Sequence, residues 1–225
     1  SDLTSVYAAY GSRETAFPSS YDSRKEGLVT SVKNQNPFGT CWAFGMAAIM
    51  ETSLLAQNKG TYDLSEEHLS DIFKNDTYSE IHGDLTIENI ICTRNADGED
   101  DFYIIDPNTG NVHDSSNLDY GKLLQSIHGG YEFLMATKNV SIERNRINFV
   151  FTKSEAYTYL YDMLDKYMRE HFAKERVKSI YYHEIIHWLR LMPYKIEKNG
   201  KRVLLFYAGM LMVMNDVINN FEEEQ

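Results

Sequence analysis

Apolar residues recur at three- and four-residue spacing through most of the C-terminal part of the chain, and this period predicts helices. A longer apolar stretch begins at Cys41 and runs through helix-forming residues to Leu55. Pro193 predicts the end of a helix, because proline lacks the N–H that an interior helical residue donates. The helices expected in the C-terminal part cover 119–126, 155–172, 175–191 and 202–221.

The spacing of apolar residues changes between residues 89 and 106. Asn89–Cys92 and Asp101–Asp106 are short apolar runs on either side of an Asp97-Gly98 dipeptide. That dipeptide favours a tight turn, so the two runs predict a hairpin. Residues 140–152 alternate enough for a strand or an extended connector. The pattern therefore predicts an α+β fold that is mainly helical, with a short hairpin.

Composition and charge narrow the class of protein. The 225 residues are 43% hydrophobic, which is enough for a real core, and the net charge of −11 disfavours nucleic acid and anionic membranes as main partners. No apolar run approaches about 20 residues, so we expect no membrane span. Ser1-Asp2-Leu3-Thr4 lacks the features of a signal peptide. Cys41 and Cys92 are too few for a disulfide framework, which leaves a reducing compartment and secretion both open.

Cys41 opens the apolar helix, where the positive end of the helix favours a reactive thiolate. Several segments around it resemble, in order and spacing, the start of a mature papain-like cysteine peptidase over about residues 16–75. The resemblance implies Cys41 as the nucleophile and Gln35 as an oxyanion-hole donor beside the Cys41 amide. The segments that carry it are Tyr21-Asp22-Ser23-Arg24, Gly27-Leu28-Val29-Thr30, Val32-Lys33-Asn34-Gln35, Cys41-Trp42-Ala43-Phe44 and Leu64-Ser65-Glu66.

The family also needs a downstream histidine as general base, in a β-rich domain. His183 and His187 lie at roughly the right distance, but their surroundings predict a helix. The two residues also form a His-Glu-x-x-His pattern, which on a helix places two imidazoles on one face as zinc ligands. So short a pattern often occurs by chance and no third ligand is evident, so a core helix is favoured over a zinc site.

A second set of residues indicates phosphoryl transfer, which needs a carboxylate near the acceptor hydroxyl and oxygen ligands for Mg²⁺. His82-Gly83-Asp84-x4-Asn89, followed by Ile105-Asp106, resembles the catalytic loop and metal-binding Asp of the aminoglycoside phosphotransferase and choline kinase superfamily. The resemblance implies Asp84 as catalytic base, Asn89 and Asp106 as Mg²⁺ ligands, and His82 as a bracing residue of the cofactor site for ATP. It extends over about residues 79–225 as a kinase-like C-terminal lobe.

The simplest account divides the chain into an incomplete papain-like segment (1–78) and an incomplete kinase-like lobe (79–225). The function expected from the larger part is phosphotransfer from Mg-ATP to a sugar, aminoglycoside or choline-type molecule, impaired because the N-terminal lobe is missing. The alternatives are a papain-like cysteine peptidase and a non-catalytic composite. Expected partners are a small-molecule phosphate acceptor or a peptide, with self-association left open. We expect a cytoplasmic location for the kinase-like part, and secretion if the peptidase part dominates.

Overall fold

The computed structural model of the chain describes most of residues 71–222 and scattered positions before them. The described residues are 20, 22–33, 44–45, 47–48, 51–52, 55, 60–61, 63, 71–108, 114–143, 146–199 and 202–222. The described positions between 44 and 55 are helical, in agreement with the helix expected after Cys41.

Helices dominate the described residues from 114 onwards, and each helix expected there is present. Ser115 and Ser154 cap α1 and α3, because each side chain accepts a backbone N–H of the first turn. The helices are α1 (Ser116–Ile127), α2 (Tyr131–Ala136), α3 (Glu155–His171), α4 (Lys174–Asn199) and α5 (Val203–Glu222).

The expected helix end at Pro193 is wrong, because α4 continues through Pro193 to Asn199. Packing beyond the proline holds the extra turns. The Lys195 ammonium lies 4.3 Å from the centre of the Phe206 ring and 5.0 Å from that of Tyr131, and its Nζ donates to the Tyr131 hydroxyl at 3.0 Å. These contacts offset the hydrogen bond that a proline removes from a helix interior.

Two antiparallel hairpins complete the described elements. The predicted hairpin forms from β1 (Ile90–Arg94) and β2 (Asp100–Ile104), with Cys92 opposite Phe102. Residues expected to be a strand or a connector form a second hairpin from β3 (Val140–Glu143) and β4 (Arg146–Phe149). The fold is therefore α+β and mainly helical, as expected, but the described residues do not show a kinase fold.

The core lies where α1 packs along α4 and α5 covers the other side of α4. Gly121 lets α1 approach closely, because a Cβ there would lie only 2.7 Å from Cβ of His183. Leu124, Trp188 and Phe206 are fully buried in this cluster. Phe73 and Ala47 belong to the same cluster, so residues from both predicted parts share one hydrophobic core.

Although no membrane span is expected from the sequence, helix α5 is a candidate for one by length and composition alone. Residues 203–221 are long and apolar enough by length and composition. A single such helix is weak support for a membrane span, because core helices pass the same test. Leu205, Phe206 and Val217 are fully buried, and they place one face of α5 in the core.

The segment before the predicted boundary at residue 78 is anchored on α1 and α4. The Asp76 carboxylate accepts from Ser179 Oγ at 2.6 Å and from Asn117 Nδ2 at 2.7 Å, and it pairs with His183 Nε2 at 2.7 Å. Burial disfavours its charge, but the bonds from His183 and Ser179 outweigh burial and lower the pKa of Asp76. The division into 1–78 and 79–225 stays a prediction.

Candidate functional site

The two residues predicted to carry thiol chemistry, Cys41 and Gln35, lie outside the described residues. The structure describes residues that flank them along the chain. Lys33 comes two positions before Gln35, and Glu51 comes ten positions after Cys41 on the helical stretch. The contacts between these flanking residues show how this segment is held.

Glu51 is 1% exposed, and its carboxylate is held from two sides. Lys33 Nζ lies 2.8 Å from Glu51 Oε1, and the Thr30 hydroxyl donates to Oε2. Lys33 also pairs with the exposed Asp63 at 2.6 Å. A buried carboxylate needs such partners, because removing it from water is costly. The pair therefore links the segment that contains Thr30 and Lys33 to the helical positions that follow Cys41.

The same residues line an open depression of about 340 Å³, together with Ser31 and Thr61. All of its lining residues have polar or charged side chains. We interpret it as part of the support for the Cys41 segment.

Replacing Glu51 by glutamine is expected to destabilise the chain by about 2 kcal/mol, because the isosteric amide loses the charge that faces Lys33 in a buried position. Lys33 retains Asp63, which limits the loss. The matched control is Asp63→Asn, where the carboxylate is 87% exposed, and a change below about 0.5 kcal/mol is expected. Urea unfolding of both variants measures the difference. Equal effects would show that the Lys33–Glu51 pair has no special structural role.

The second predicted site lies on two adjacent loops. His82 Nε2 donates to the Ile105 carbonyl at 2.8 Å, and the Ile105 N–H donates to the Asn89 carbonyl at 3.0 Å. Asn89 Nδ2 donates to the backbone carbonyl of Asp84 at 2.8 Å. Asp106 has a φ of 62°, a strained value for a residue other than glycine. The fold thus brings His82, Asp84, Asn89 and Asp106 into one neighbourhood.

Helix α1 supports these loops. The Asp119 carboxylate accepts the backbone N–H groups of His82 and Gly83, both at 2.7 Å. Lys122 Nζ lies 3.0 Å from Asp84 Oδ1. A lysine at this distance competes with a cation for the Asp84 carboxylate.

The residues proposed as metal ligands offer an incomplete donor set. Within the part of the chain that the structure describes, no three His, Cys, Asp or Glu side chains cluster to hold a metal ion. Asn89 and Asp106 supply two oxygen donors of the type that Mg²⁺ accepts. Binding of Mg²⁺ and ATP here stays a prediction.

The expected helix around His183 and His187 is confirmed, since both lie on α4. His183 is engaged with Asp76, and His187 Nε2 donates to the Leu118 carbonyl at 2.9 Å. Burial, helped by the charge of Lys122, lowers the pKa of His187 to about 3, so its imidazole is neutral in the folded chain. Both imidazoles are buried and have structural partners.

Sequence reasoning missed a buried ionic network centred on His128, the residue that follows α1. Its Nδ1 lies 2.7 Å from Glu184 Oε2 and its Nε2 lies 2.8 Å from Asp216 Oδ2. The Tyr161 ring stacks on the imidazole at 4.7 Å. Burial opposes the charge, but the Glu184 charge and the bonds to both carboxylates outweigh it and raise the pKa of His128 to about 9.

A short sequence motif could not have predicted this network, because the partners of His128 lie 56 and 88 residues away in sequence. The sequence does contain a signal for the Lys33–Glu51 pair. Glu51 is the one charged residue in the apolar run 42–55, and a lone carboxylate in a buried helix implies a buried partner.

Comparison with known proteins identifies a family for the N-terminal part. Residues 17–103 match the family model of papain family cysteine proteases. Stem bromelain of Ananas comosus is 50% identical over 60 residues, which are 26% of this chain and 28% of bromelain. Cysteine proteinase 1 of Entamoeba histolytica is 31% identical over 158 residues, 63% of this chain and 48% of that proteinase. A cathepsin L-like proteinase of Fasciola hepatica is 35% identical over 71 residues, 32% of this chain and 22% of that proteinase.

Each match covers only part of this chain and part of the relative. The chain spans about half or less of the length of these relatives. No solved structure matches the chain.

The phosphotransferase function expected from the sequence is wrong. The papain family match continues to residue 103 and so includes the loop from His82 to Asn89, whose motif predicts a kinase-like lobe. The proteinase of Entamoeba histolytica aligns over more residues than the segment 1–78 contains. No finding supports a kinase-like lobe. Over its N-terminal part, residues 17–103, this chain is similar to the papain family of cysteine proteases, and this is the family that the comparisons support.

Proposed function

We propose that this chain acts as a papain-like cysteine peptidase on peptide substrates, with Cys41 as the nucleophile. The observation that carries the proposal is the family match over residues 17–103, which includes Cys41 and Gln35. The similar protein of Entamoeba histolytica is a cysteine proteinase by name. The buried Lys33–Glu51 pair supports the proposal, because it would hold the segments on either side of the nucleophile in a fixed relation.

The chemistry follows from the two residues. The Cys41 thiolate would attack the scissile carbonyl carbon and form a thioester, while the amine product leaves with a proton. Water would then hydrolyse the thioester to the acid product and restore the thiol. Gln35 and the Cys41 backbone amide would donate hydrogen bonds to the oxyanion that forms in both steps.

The two histidines at the expected sequence distance do not meet the requirements of a general base. His183 and His187 have the sequence spacing of the family's base, but they are 2% and 5% exposed, with Asp76 and the Leu118 carbonyl as partners. A base must reach the thiol and the substrate, and buried imidazoles on α4 do not meet that need. We therefore expect the first, acylating step to be more efficient than the second, and steady-state turnover to be slow.

The test combines a fluorogenic peptide panel with an active-site titrant, a peptidyl epoxide that alkylates papain-like thiols. Stoichiometric labelling with slow hydrolysis is the expected result. An absence of both labelling and hydrolysis would overturn the proposal and leave a non-catalytic protein with a preserved motif.

A further inference from the structure

The hairpin of β1 and β2 leaves large apolar side chains in solvent on both of its faces. Four residues in a row, at the end of β2 and just beyond it, are between 42% and 61% exposed: Phe102, Tyr103, Ile104 and Ile105. Ile91, opposite Tyr103 on β1, is also exposed. Contiguous exposed apolar side chains of this size are typical of an interaction surface.

The outer edge of β2 can pair with a further strand. Among the described residues β2 pairs only with β1, and a sheet of two strands is marginally stable by itself. The Ile105 N–H donates to the carbonyl of Asn89, which lies directly opposite in this register. Backbone groups turn inward at alternate residues of an antiparallel ladder, so those of Phe102 and Ile104 point away from β1. The Phe102 N–H donates to the Asp101 side chain, and the Ile104 N–H is offered at the apolar end of the edge.

The charges of the hairpin indicate the chemistry of a partner. The carboxylates of Asp97, Glu99 and Asp101 form no ion pair within the part of the chain that the structure describes. The single cation among residues 90–104 is Arg94, and it pairs with the Asp100 carboxylate at 3.3 Å. The hairpin therefore carries three negative charges that its own residues do not neutralise, next to an apolar edge.

One face of the hairpin changes from acidic to apolar along β2. Glu99 and Ile105 adjoin the two ends of β2, and each is bonded to the continuation of β1. Side chains two residues apart lie on the same face, so this face carries Glu99 and Asp101, then Tyr103 and Ile105. A strand that adds to the edge is complementary when it has cations at two alternate positions and apolar side chains at the other two.

We propose that the outer edge of β2 binds an extended, basic segment of another protein, which adds to the hairpin as a third strand. Cationic side chains of the segment lie beside Glu99 and Asp101, and apolar side chains lie beside Tyr103 and Ile105. Backbone hydrogen bonds give such a strand its affinity, and alternate side chains give it specificity. The hairpin of a second copy fits less well, because its only cation, Arg94, is already paired. The proposal is independent of the peptidase assignment.

Fluorescence anisotropy with a labelled probe peptide, Val-Thr-Val-Thr-Lys-Thr-Lys, tests the proposal. The full chain carries Cys41→Ala in this titration, so that hydrolysis does not consume the probe. We expect a dissociation constant of about 10–100 µM at about 50 mM salt, since one added strand makes a small interface. A peptide with Glu in place of both Lys is expected to bind at least about tenfold more weakly. No binding of the lysine peptide, or equal binding of the two, would overturn the proposal.

A pair of variants separates docking on β2 from attraction to an acidic chain as a whole. Asp101→Asn keeps an oxygen that accepts the Phe102 N–H but removes the charge, and it is expected to weaken binding about threefold to tenfold. The matched control is Glu143→Gln, an exposed carboxylate on β3 of the second hairpin, which is expected to leave binding unchanged. Equal losses in the two variants would exclude a site on β2.

Amide hydrogen exchange tests the added strand without any change to the hairpin. With the probe peptide near saturation, exchange of the Ile104 N–H is expected to slow at least about fivefold, because it becomes bonded to the peptide. The Tyr103 N–H points inward to β1 and is expected to change less. Unchanged exchange at Ile104 while the peptide is bound would show that the peptide does not pair with this edge.

Discussion

Replacing Cys41 by alanine is expected to abolish modification of the chain by a peptidyl epoxide, whereas Cys92→Ala leaves modification intact. The papain family match covers Cys41, which is the nucleophile that we propose. Cys92 is exposed on β1, and it serves as an internal comparison because a reagent reaches it without obstruction. The two variants therefore separate an activated thiol from an accessible one.

The expected difference is large because only the thiolate reacts. At pH 6 an ordinary protein thiol, with a pKa of about 8.5, is roughly 0.3% ionised. A thiol activated at a helix N-terminus, with a pKa of about 6 or below, is at least half ionised. We expect a rate ratio of about 100 between the two cysteines at pH 6, measured by intact mass spectrometry and peptide mapping.

A further comparison uses a small alkylating agent without a peptide. The peptidyl epoxide should gain selectivity over that agent if the chain also holds a peptide beside Cys41. Equal modification of the two cysteines by the epoxide at pH 6 would contradict the activation of Cys41.

Replacing His128 by alanine is expected to lower the free energy of unfolding by about 3–5 kcal/mol. The Glu184 side chain is fully buried, and loss of the imidazole would leave its carboxylate without the cation that faces it at 2.7 Å. The change would also remove the contact with Asp216 on α5 and the stacking on Tyr161 of α3. Urea unfolding followed by circular dichroism measures the loss.

A graded series keeps this test informative if His128→Ala fails to fold. Asp216 is 53% exposed, so Asp216→Asn is expected to cost only about 1 kcal/mol. The control His171→Gln removes an exposed histidine at the end of α3 and should change stability by less than about 0.5 kcal/mol. A cost below about 1 kcal/mol for His128→Ala would contradict the role assigned to the network.

The same network predicts how stability depends on pH. The pKa of His128 is raised to about 9 in the folded chain, above its value of about 6.5 when unfolded. The folded state then binds more protons between these values, so its contribution is complete below about pH 6.5 and is lost as pH rises to about 9. In His128→Ala the decline over this interval should be shallower than in the unmodified chain and in His171→Gln.

At acidic pH the dependence of stability on pH is the opposite, and stability falls as the pH falls. His187 has its pKa lowered to about 3, so the unfolded state binds its proton first as pH falls below about 6.5. Asp76 and Asp216 also have lowered pKa values, through hydrogen bonds to His183 and His128 respectively, and they lose their contribution at still lower pH. The three groups add to the instability expected in acid.

Much of the fold was predictable because local signals agree with local structure. Residues close in sequence produce the helical spacing of apolar side chains in α3 and α5. They also form the Asp97-Gly98 turn between β1 and β2. Pro193 misled the prediction, because the intrinsic cost of a proline is local while the packing of Lys195 that offsets it is not. The loop from His82 to Asn89 misled it differently, since a short motif carries no information about the rest of a domain.

The sequence by itself determined the helices, the first hairpin and the papain-like nucleophile segment, because periodicity and ordered motifs are properties of neighbouring residues. Only the tertiary structure decided which charges meet. Asp76 pairs with His183 from 107 residues away, and His128 pairs with Glu184 and Asp216, because α1 and α5 both pack on α4. Such pairs depend on how α1 and α5 are each placed against α4, which the short-range pattern of a single chain does not specify.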